Sequence, residues 1–287
     1  MRVRVPLSAQ NFNIMSEIGK PFKSIEAYNN SMRKSMRDKL FFLDFIPEEK
    51  CIFVDFGCAD GSLLTAIYEM DMEGDFHNKY IGYDISSEMI DLAKTKFNYC
   101  TDKVLFTSDW KDVESKLKTW KGTKILILSS VIHEVYSYAK DRQEISDFWD
   151  KVINTNFDYI CVRDMMYSQD MDRDTSPNLY HAFITWRTLE MKTQVDQFSS
   201  KYGSIQNNLN LIHFLLKYRW TINWDRELNE NYFPIEINAF LDNFENKYNV
   251  TYLQRFRIPF LEQCWEKDFN IKIDDYTHIK AIFERKK

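Results

Sequence analysis

The sequence predicts an α/β fold: a mostly parallel sheet of about seven strands with helices on both faces, an N-terminal helical extension and a helical insertion before the last strands. Three observations favour it. Short apolar runs alternate with amphipathic segments from about residue 50 to 167, as in βαβ units. A stretch without strand-like runs follows, and strand character then returns near the end of the chain.

The apolar runs place five parallel strands in the first part of the chain. Most are continuously apolar rather than alternating, as expected of strands with helices on both faces. They are IFVDFG (52–57), YIGYDI (80–85), VLFTSDW (104–110), KILILSSVI (124–132) and YICVRDMMY (159–167).

The remaining segments complete the predicted organisation. Residues 1–48 carry apolar positions at helical spacing with Pro47 as a stop, which predicts an N-terminal helical cover. Residues 169–249 read as helices and are expected to form a substrate lid. The core is then 49–168 and 250–287, and its last two strands are VTYLQRFRIPF (250–260) and THIKAIFERK (277–286).

Composition restricts the cellular setting and the function classes. The net charge of −5 gives no general positive field for nucleic acid. The five cysteines are odd in number and widely spaced, which favours reduced thiols over disulfides or a zinc site, so no metal is predicted. The sequence has neither a secretory-signal pattern nor an apolar run of about 20 residues. We therefore expect a cytoplasmic protein that does not enter a membrane.

The turn after the first strand is rich in glycine although the chain has only seven glycines. Glycine permits positive φ and lets a ligand approach the backbone closely. The segment Asp55-Phe56-Gly57-Cys58-Ala59-Asp60-Gly61 resembles the first motif of class I S-adenosylmethionine-dependent methyltransferases, with Ala59 in place of the middle glycine. The resemblance implies a Rossmann-like fold, a turn that wraps the methionine moiety of S-adenosylmethionine, and a carboxylate, Asp55, that reaches toward its ammonium.

Acidic residues at the next two strand ends extend the resemblance. Asp84 would accept the ribose hydroxyls, and Asp109 would accept the adenine amino group, with Trp110 or Ile85 packing on the ring. The complete predicted set of cofactor-binding residues is Asp55, Gly57, Cys58, Ala59, Gly61, Asp84, Ile85, Met89, Ser108, Asp109, Trp110 and Ser129.

Each part of this pattern also has an alternative interpretation. A glycine-rich turn also serves dinucleotides, although Asp60 would repel a pyrophosphate and the G-x-G-x-x-G spacing is absent. Acids at strand ends are often helix N-caps, and Asp84 before Ser86 has that alternative.

The ends of the fourth and fifth strands are where an acceptor should meet the methyl group, because ligands bind at the carboxyl ends of parallel strands. His133 is the candidate general base, since its ordinary pKa is near neutrality; the alternative is a supporting residue or a cofactor contact. Arg163 and Asp164 form either a buried ion pair or an acceptor clamp. We expect all three residues to line one acceptor pocket.

The acceptor itself is left open. The leading hypothesis is an O or N atom of a small molecule or an exposed side chain. The alternative is RNA or a nucleotide bound by the basic and aromatic residues from Lys217 to Arg226. Amphipathic helices account for the same residues if their aromatic side chains pack inward while the basic ones face water. A third hypothesis is a non-catalytic partner protein that binds S-adenosylmethionine. Oligomeric state is not predicted.

Overall fold

The computed structural model describes residues 36, 38–74, 77–97 and 102–287, together with 16–17 and 20–21 near the N-terminus. Its main feature is a seven-stranded sheet. The strands are β1 (Cys51–Phe56), β2 (Lys79–Tyr83), β3 (Val104–Thr107), β4 (Thr123–Ser129), β5 (Tyr159–Met165), β6 (Tyr248–Phe256) and β7 (His278–Arg285). A separate ladder pairs Ser16–Glu17 with Lys20–Pro21.

The spatial order of the strands is β3-β2-β1-β4-β5-β7-β6. The first five are parallel, and β7 runs antiparallel between β5 and β6. The order reverses between β1 and β4, and in such sheets ligands bind outside the carboxyl ends of the strands at that reversal. The glycine-rich turn after β1 therefore lies where a ligand is expected.

Helices connect the strands of the sheet and build the insertion. They are α1 (Ser62–Gly74), α2 (Ser87–Lys96), α3 (Trp110–Thr119), α4 (Ile132–Tyr138), α5 (Arg142–Asn154), α6 (Pro177–Trp186), α7 (Leu189–Tyr202), α8 (Asn208–Leu215), α9 (Trp224–Asn229), α10 (Ile237–Asp242) and α11 (Pro259–Phe269). Short 3₁₀ helices lie at Phe41–Asp44, Gln169–Met171 and Thr221–Asn223.

Hydrophobic cores lie on both faces of the sheet. On one face, side chains of α3, α4, α5 and α10 pack on alternate residues of β1, β4 and β5. On the other, α1, α2 and the 3₁₀ helix at Phe41–Asp44 cover the remaining residues of the same strands. Because the two faces are both covered, β1 is buried along its whole length. The predicted α/β fold with a seven-stranded, mostly parallel sheet is confirmed.

The helices α6 to α9, which lie between β5 and β6 in the chain, build a core of their own. Phe183, Phe198 and Phe214 are completely buried in it, and Trp265 and Phe269 of α11 complete it. The predicted helices are present, with one break at Arg187, where α6 ends, and Thr188, which caps α7. The division into domains and the role of this insertion as a substrate lid stay predictions.

Most of the predicted N-terminal cover, 1–48, lies outside the described residues. Within them, Phe42 is buried against β1, with its ring centroid 6.5 Å from that of Phe53. No helix in the described ranges is long and apolar enough to cross a membrane. Four of the five cysteines are described, and all four are free and buried; Cys100 lies outside the described residues.

Candidate active site

The turn after β1 has a backbone that glycine suits. Gly57 and Gly61 have φ of +76° and +74°, the left-handed region that costs other residues about 1–2 kcal/mol. A Cβ on Gly57 would lie 2.6 Å from Cγ2 of Val131, at the start of α4. Ala59 also adopts positive φ, +47°, so it occupies a conformation that the glycine of the resembling motif would adopt without strain. The turn is thus held close against the end of β4.

Asp84 connects this turn to the end of β2. One carboxylate oxygen accepts the N–H of Ala59 at 2.9 Å and the other accepts the N–H of Ser86 at 2.9 Å. Ser86, not Asp84, is the side chain that caps α2. A carboxylate has about four lone-pair positions, so Asp84 keeps acceptor capacity after both contacts.

The two predicted residues that follow β3, Asp109 and Trp110, lie in different environments. Asp109 is exposed and caps α3 by accepting the N–H of Lys111 at 2.9 Å, so the N-cap alternative is realised at this strand end. Trp110 is buried against Phe56 and Tyr83, with ring centroids 5.5 and 5.1 Å away.

The apolar residues near the end of β2 then decide which side chain can meet an adenine ring. Met89 is buried in α2, whereas Ile85 is 56% exposed. Ser108 is also exposed. Since Trp110 is already packed in the core, Ile85 is the predicted apolar residue with a face available to a ring at this edge.

The residues present fit S-adenosylmethionine. Asp55 is a buried carboxylate at the end of β1, and Cys58 is buried in the turn. The side-chain oxygen of Ser129 and the indole nitrogen of Trp110 are buried without a hydrogen-bond partner among the described residues. Buried polar groups normally have partners, and the Ser129 hydroxyl, at the end of β4, is one that a bound molecule could satisfy.

His133 and Asp164 come together at the ends of β4 and β5. The imidazole Nδ1 lies 2.7 Å from Oδ1 of Asp164. The other oxygen, Oδ2, accepts the backbone N–H groups of Val131 at 2.9 Å and Ile132 at 2.7 Å. Asp164 therefore fixes both the first turn of α4 and the orientation of the His133 ring.

Arg163 does not join this pair, which corrects two expectations. Neighbouring residues of a strand face opposite sides of the sheet, and Arg163 lies on the side opposite Asp164. Its Nε donates to Asp38 at 2.6 Å, and its Nη1 lies 3.3 Å from Oγ of Ser130. The ion-pair alternative for Arg163 and Asp164 is not realised, because Arg163 pairs with Asp38 instead. The prediction of one pocket lined by all three residues is wrong for Arg163.

Two carboxylates that the sequence did not indicate lie beside His133: that of Glu134 in α4 and that of Glu230 in the insertion. Nε2 of His133 lies 3.9 Å from a carboxylate oxygen of Glu134 and 3.9 Å from one of Glu230. Arg226 binds Glu230 at 2.8 Å and Glu134 at 3.5 Å. Tyr232 covers the imidazole edge-on, with ring centroids 5.4 Å apart. Glu230 and Arg226 follow one another at helical spacing, which is the usual pattern of a surface ion pair and gave no signal of this site.

The electrostatics of the pair follow from these contacts. Burial lowers the pKa of His133, but the carboxylates of Asp164, Glu134 and Glu230 outweigh it, so the pKa is raised above its ordinary value. Burial raises the pKa of Asp164, but His133 and the backbone N–H donors outweigh it and the pKa is lowered. Asp164 is thus a carboxylate that stabilises the protonated imidazole.

Most of the basic and aromatic residues from Lys217 to Arg226 are buried. Lys217 and Tyr218 are almost completely buried, and Arg219 is 8% exposed. The ammonium of Lys217 donates to the backbone carbonyls of Glu227 and Glu230 at 2.7 and 2.6 Å. Burial lowers the pKa of Lys217 to about 7. The expectation that the bases of amphipathic helices face water is wrong for Lys217 and Arg219.

Comparison with known proteins gives a match at the level of structure alone. No protein-family profile matches the sequence, and no curated protein matches it. Among solved structures, 251 chains match.

Three of these structures illustrate the similarity. The N-methyltransferase NodS from Bradyrhizobium japonicum is 7% identical, with 90% of this chain and 98% of that chain covered and a TM-score of 0.43. The cyclopropane synthase MmaA2 from Mycobacterium tuberculosis is 8% identical, with 92% and 86% covered and a TM-score of 0.47. The geranyl diphosphate C-methyltransferase from Streptomyces coelicolor is 10% identical, with 96% and 90% covered and a TM-score of 0.48. The likeness concerns overall architecture and does not identify an acceptor.

Proposed function

We propose that this chain is an S-adenosylmethionine-dependent methyltransferase that acts on an O or N atom of a small molecule or an exposed side chain. The observation that carries the proposal is the closure of the glycine-rich turn. Gly57 lies against Val131 with no room for a Cβ, and Val131 donates to the carboxylate that holds His133. The proposed cofactor cradle and the candidate acceptor residue therefore share one short segment of backbone.

The cofactor, when bound, supplies an electrophilic methyl group on a sulfonium. We assign the ribose hydroxyls to Asp84, the ammonium to Asp55, and one face of the adenine to Ile85. Methyl transfer is an in-line displacement, so the protein contributes chiefly by aligning the two reactants and excluding water. The carboxyl ends of β1, β2 and β4 would hold the cofactor rigidly, because neighbouring strands fix them.

His133 would activate the acceptor, and Asp164 would be its positioning residue. With Nδ1 directed at Asp164, Nε2 is the ring atom left to face an acceptor. Tyr232 and Glu230 of the insertion cover that side, which supports the proposed lid. Arg226 is the most exposed member of the cluster, at 30%, so an acceptor would enter beside it.

RNA or nucleotide methylation is the less favoured candidate, since Lys217 and Arg219 are buried. A non-catalytic binding role remains the other class. For location we propose the cytoplasm, on the strength of the free cysteines.

The test is a transfer assay with methyl-labelled S-adenosylmethionine and fractionated cell extract as the source of acceptors. We expect label in the small-molecule or protein fraction, and about 10²–10⁴-fold slower labelling with His133→Ala. Label that is sensitive to ribonuclease would instead select the RNA candidate. Cofactor binding without transfer to any fraction would favour the non-catalytic role.

A further inference from the structure

Three ligand atoms from two parts of the chain converge beside the proposed acceptor position. Nε2 of His133 and one carboxylate oxygen each of Glu134 and Glu230 lie within 4.8 Å of one another. His133 and Glu134 come from the first turn of α4, and Glu230 follows α9 in the insertion. We propose that these three residues bind a divalent first-row transition-metal cation, with Mn²⁺ or Zn²⁺ as the chemical class.

The support behind His133 is the arrangement that metal-bound histidines require. A metal-bound imidazole nearly always donates its other N–H to a carboxylate or carbonyl, which fixes the ring and the tautomer. Here Nδ1 is 2.7 Å from Oδ1 of Asp164. Asp164 is 1% exposed and is held by two backbone N–H groups. Nε2 is thereby the ring nitrogen that faces the two glutamates, and a bound cation would replace the proton that this nitrogen carries in the protonated imidazole.

Glu230 is oriented in a complementary way. Its Oε1 accepts from Arg226 at 2.8 Å and from the hydroxyl of Tyr138 at 3.2 Å. Its Oε2 is the oxygen that lies 3.9 Å from Nε2 of His133. Arg226 and Tyr138 thus hold Oε1 in place, and Oε2 faces the position where the cation would lie.

The charges around that position also favour a cation. Three carboxylates, those of Asp164, Glu134 and Glu230, surround His133, whereas Arg226 is the one guanidinium in contact with them among the described residues. Nearby, the side chain of Lys217 donates to two backbone carbonyls, and the carboxylate of Glu227 accepts from the hydroxyl of Tyr232. Uncompensated charge is costly when buried. With His133 neutral, as a metal ligand must be, a divalent ion would neutralise the remaining excess.

The donor set and its surroundings narrow the class of ion. Ca²⁺ and Mg²⁺ prefer oxygen alone, whereas imidazole with carboxylates suits Mn²⁺ and Zn²⁺. Three protein ligands leave coordination positions open, as in catalytic sites. Nε2 of His133 lies 3.9 Å from each of the two glutamate oxygens. Each distance needs to shorten by roughly half an ångström to match the spacing of ligand atoms around a cation with metal–ligand bonds of about 2.0–2.2 Å.

The role of the cation in methyl transfer rests on the proposed function, whereas its binding by the three residues does not. An acceptor O–H or N–H bound to the cation would have a lowered pKa, and its proton would pass to water. His133 would then act through the cation and not as the proton acceptor itself.

The binding test uses the full chain after treatment with a chelator and titrates it with Mn²⁺, followed by electron paramagnetic resonance and calorimetry. We expect one Mn²⁺ per chain, displaced by Zn²⁺. Glu230→Gln removes an inner ligand and should weaken binding more than 10-fold. Asp164→Asn keeps all three ligands but alters the support of His133, and should weaken it about 10–100-fold.

The matched control is Glu227→Gln. Its carboxylate lies close by but binds the hydroxyl of Tyr232 and is not one of the three ligands, so Mn²⁺ affinity should change less than threefold. Circular dichroism verifies folding, and S-adenosylmethionine affinity is measured on every variant.

The proposal is overturned if folded wild-type protein takes up no stoichiometric Mn²⁺ or Zn²⁺, or if Glu230→Gln binds as tightly as wild type. Full turnover by metal-free enzyme would also overturn its catalytic part and leave His133 as the general base. Failure to bind S-adenosylmethionine, with Mn²⁺ binding intact, would remove the proposed function and retain the metal site.

Discussion

Replacing Asp84 by alanine should weaken both the fold and the binding of the cofactor. The side chain is 5% exposed and accepts the N–H groups of Ala59 and Ser86, each at 2.9 Å. Each buried donor left without a partner costs about 1–3 kcal/mol. Ala59 is only partly buried, so water can satisfy its N–H in part. We expect the free energy of unfolding to fall by about 2–4 kcal/mol.

The same substitution removes the acceptor proposed for the ribose hydroxyls. Loss of those hydrogen bonds at about 1–3 kcal/mol corresponds to a dissociation constant for S-adenosylmethionine that is roughly 5–150-fold higher. Calorimetric titration of the folded variant measures this, and urea unfolding measures stability. Glu88→Ala, an exposed change in the first turn of α2, is the control and should affect neither strongly. Unchanged cofactor affinity in Asp84→Ala would refute the assignment.

Three further predictions concern the surrounding structure. Gly57→Ala should lower the free energy of unfolding by about 2–4 kcal/mol in urea titrations, through positive φ and contact with Val131; an unaffected variant would mean that the turn is not tightly packed. Burial and the charge of Arg163 lower the pKa of His278 to about 3, so the unfolded state binds more protons below pH 6.5. The free energy of unfolding of wild type should therefore fall by about 2 kcal/mol between pH 6.5 and 5 because of this residue. His278→Asn should make the free energy of unfolding depend less on pH in this range, and an equal dependence would contradict the prediction. Asp38→Asn should destabilise the protein by about 1–3 kcal/mol in thermal unfolding, because it weakens the ion pair with the buried guanidinium of Arg163. An unchanged unfolding temperature would mean that this ion pair does not stabilise the fold.

His133→Ala tests the proposed chemistry separately from binding. We expect turnover to fall by about 10²–10⁴-fold, the usual contribution of a positioned group in proton transfer, while the affinity for S-adenosylmethionine changes little. The measurement needs an acceptor from the transfer assay. Full turnover would make His133 structural, and loss of cofactor binding would make it a binding residue.

The sequence was sufficient for the fold because its signals are local. Apolar runs such as KILILSSVI and the glycine pair at 57 and 61 each report a strand or a turn from a few residues. The residues after β1, β2 and β4 were also predictable, because parallel strands deliver their ends to one edge.

The residues that surround His133 were less predictable from the sequence, because their contacts depend on how distant segments pack together. Glu230 reaches His133 only when the insertion folds over α4, and no spacing in the sequence encodes that contact. Lys217 reads as a surface base, yet two backbone carbonyls hold it in the interior. An ion pair between Arg163 and Asp164 was left open by the sequence, but alternation along β5 directs the two side chains to opposite faces.

A crystal structure of the complex with S-adenosylhomocysteine tests the central claim most directly. We predict that the amino-acid end of the ligand lies in the turn from Gly57 to Gly61, its ribose at Asp84, and its sulfur directed at the end of β4 where His133 lies. A ligand bound elsewhere, or one in this turn with its sulfur directed away from His133, would contradict the account.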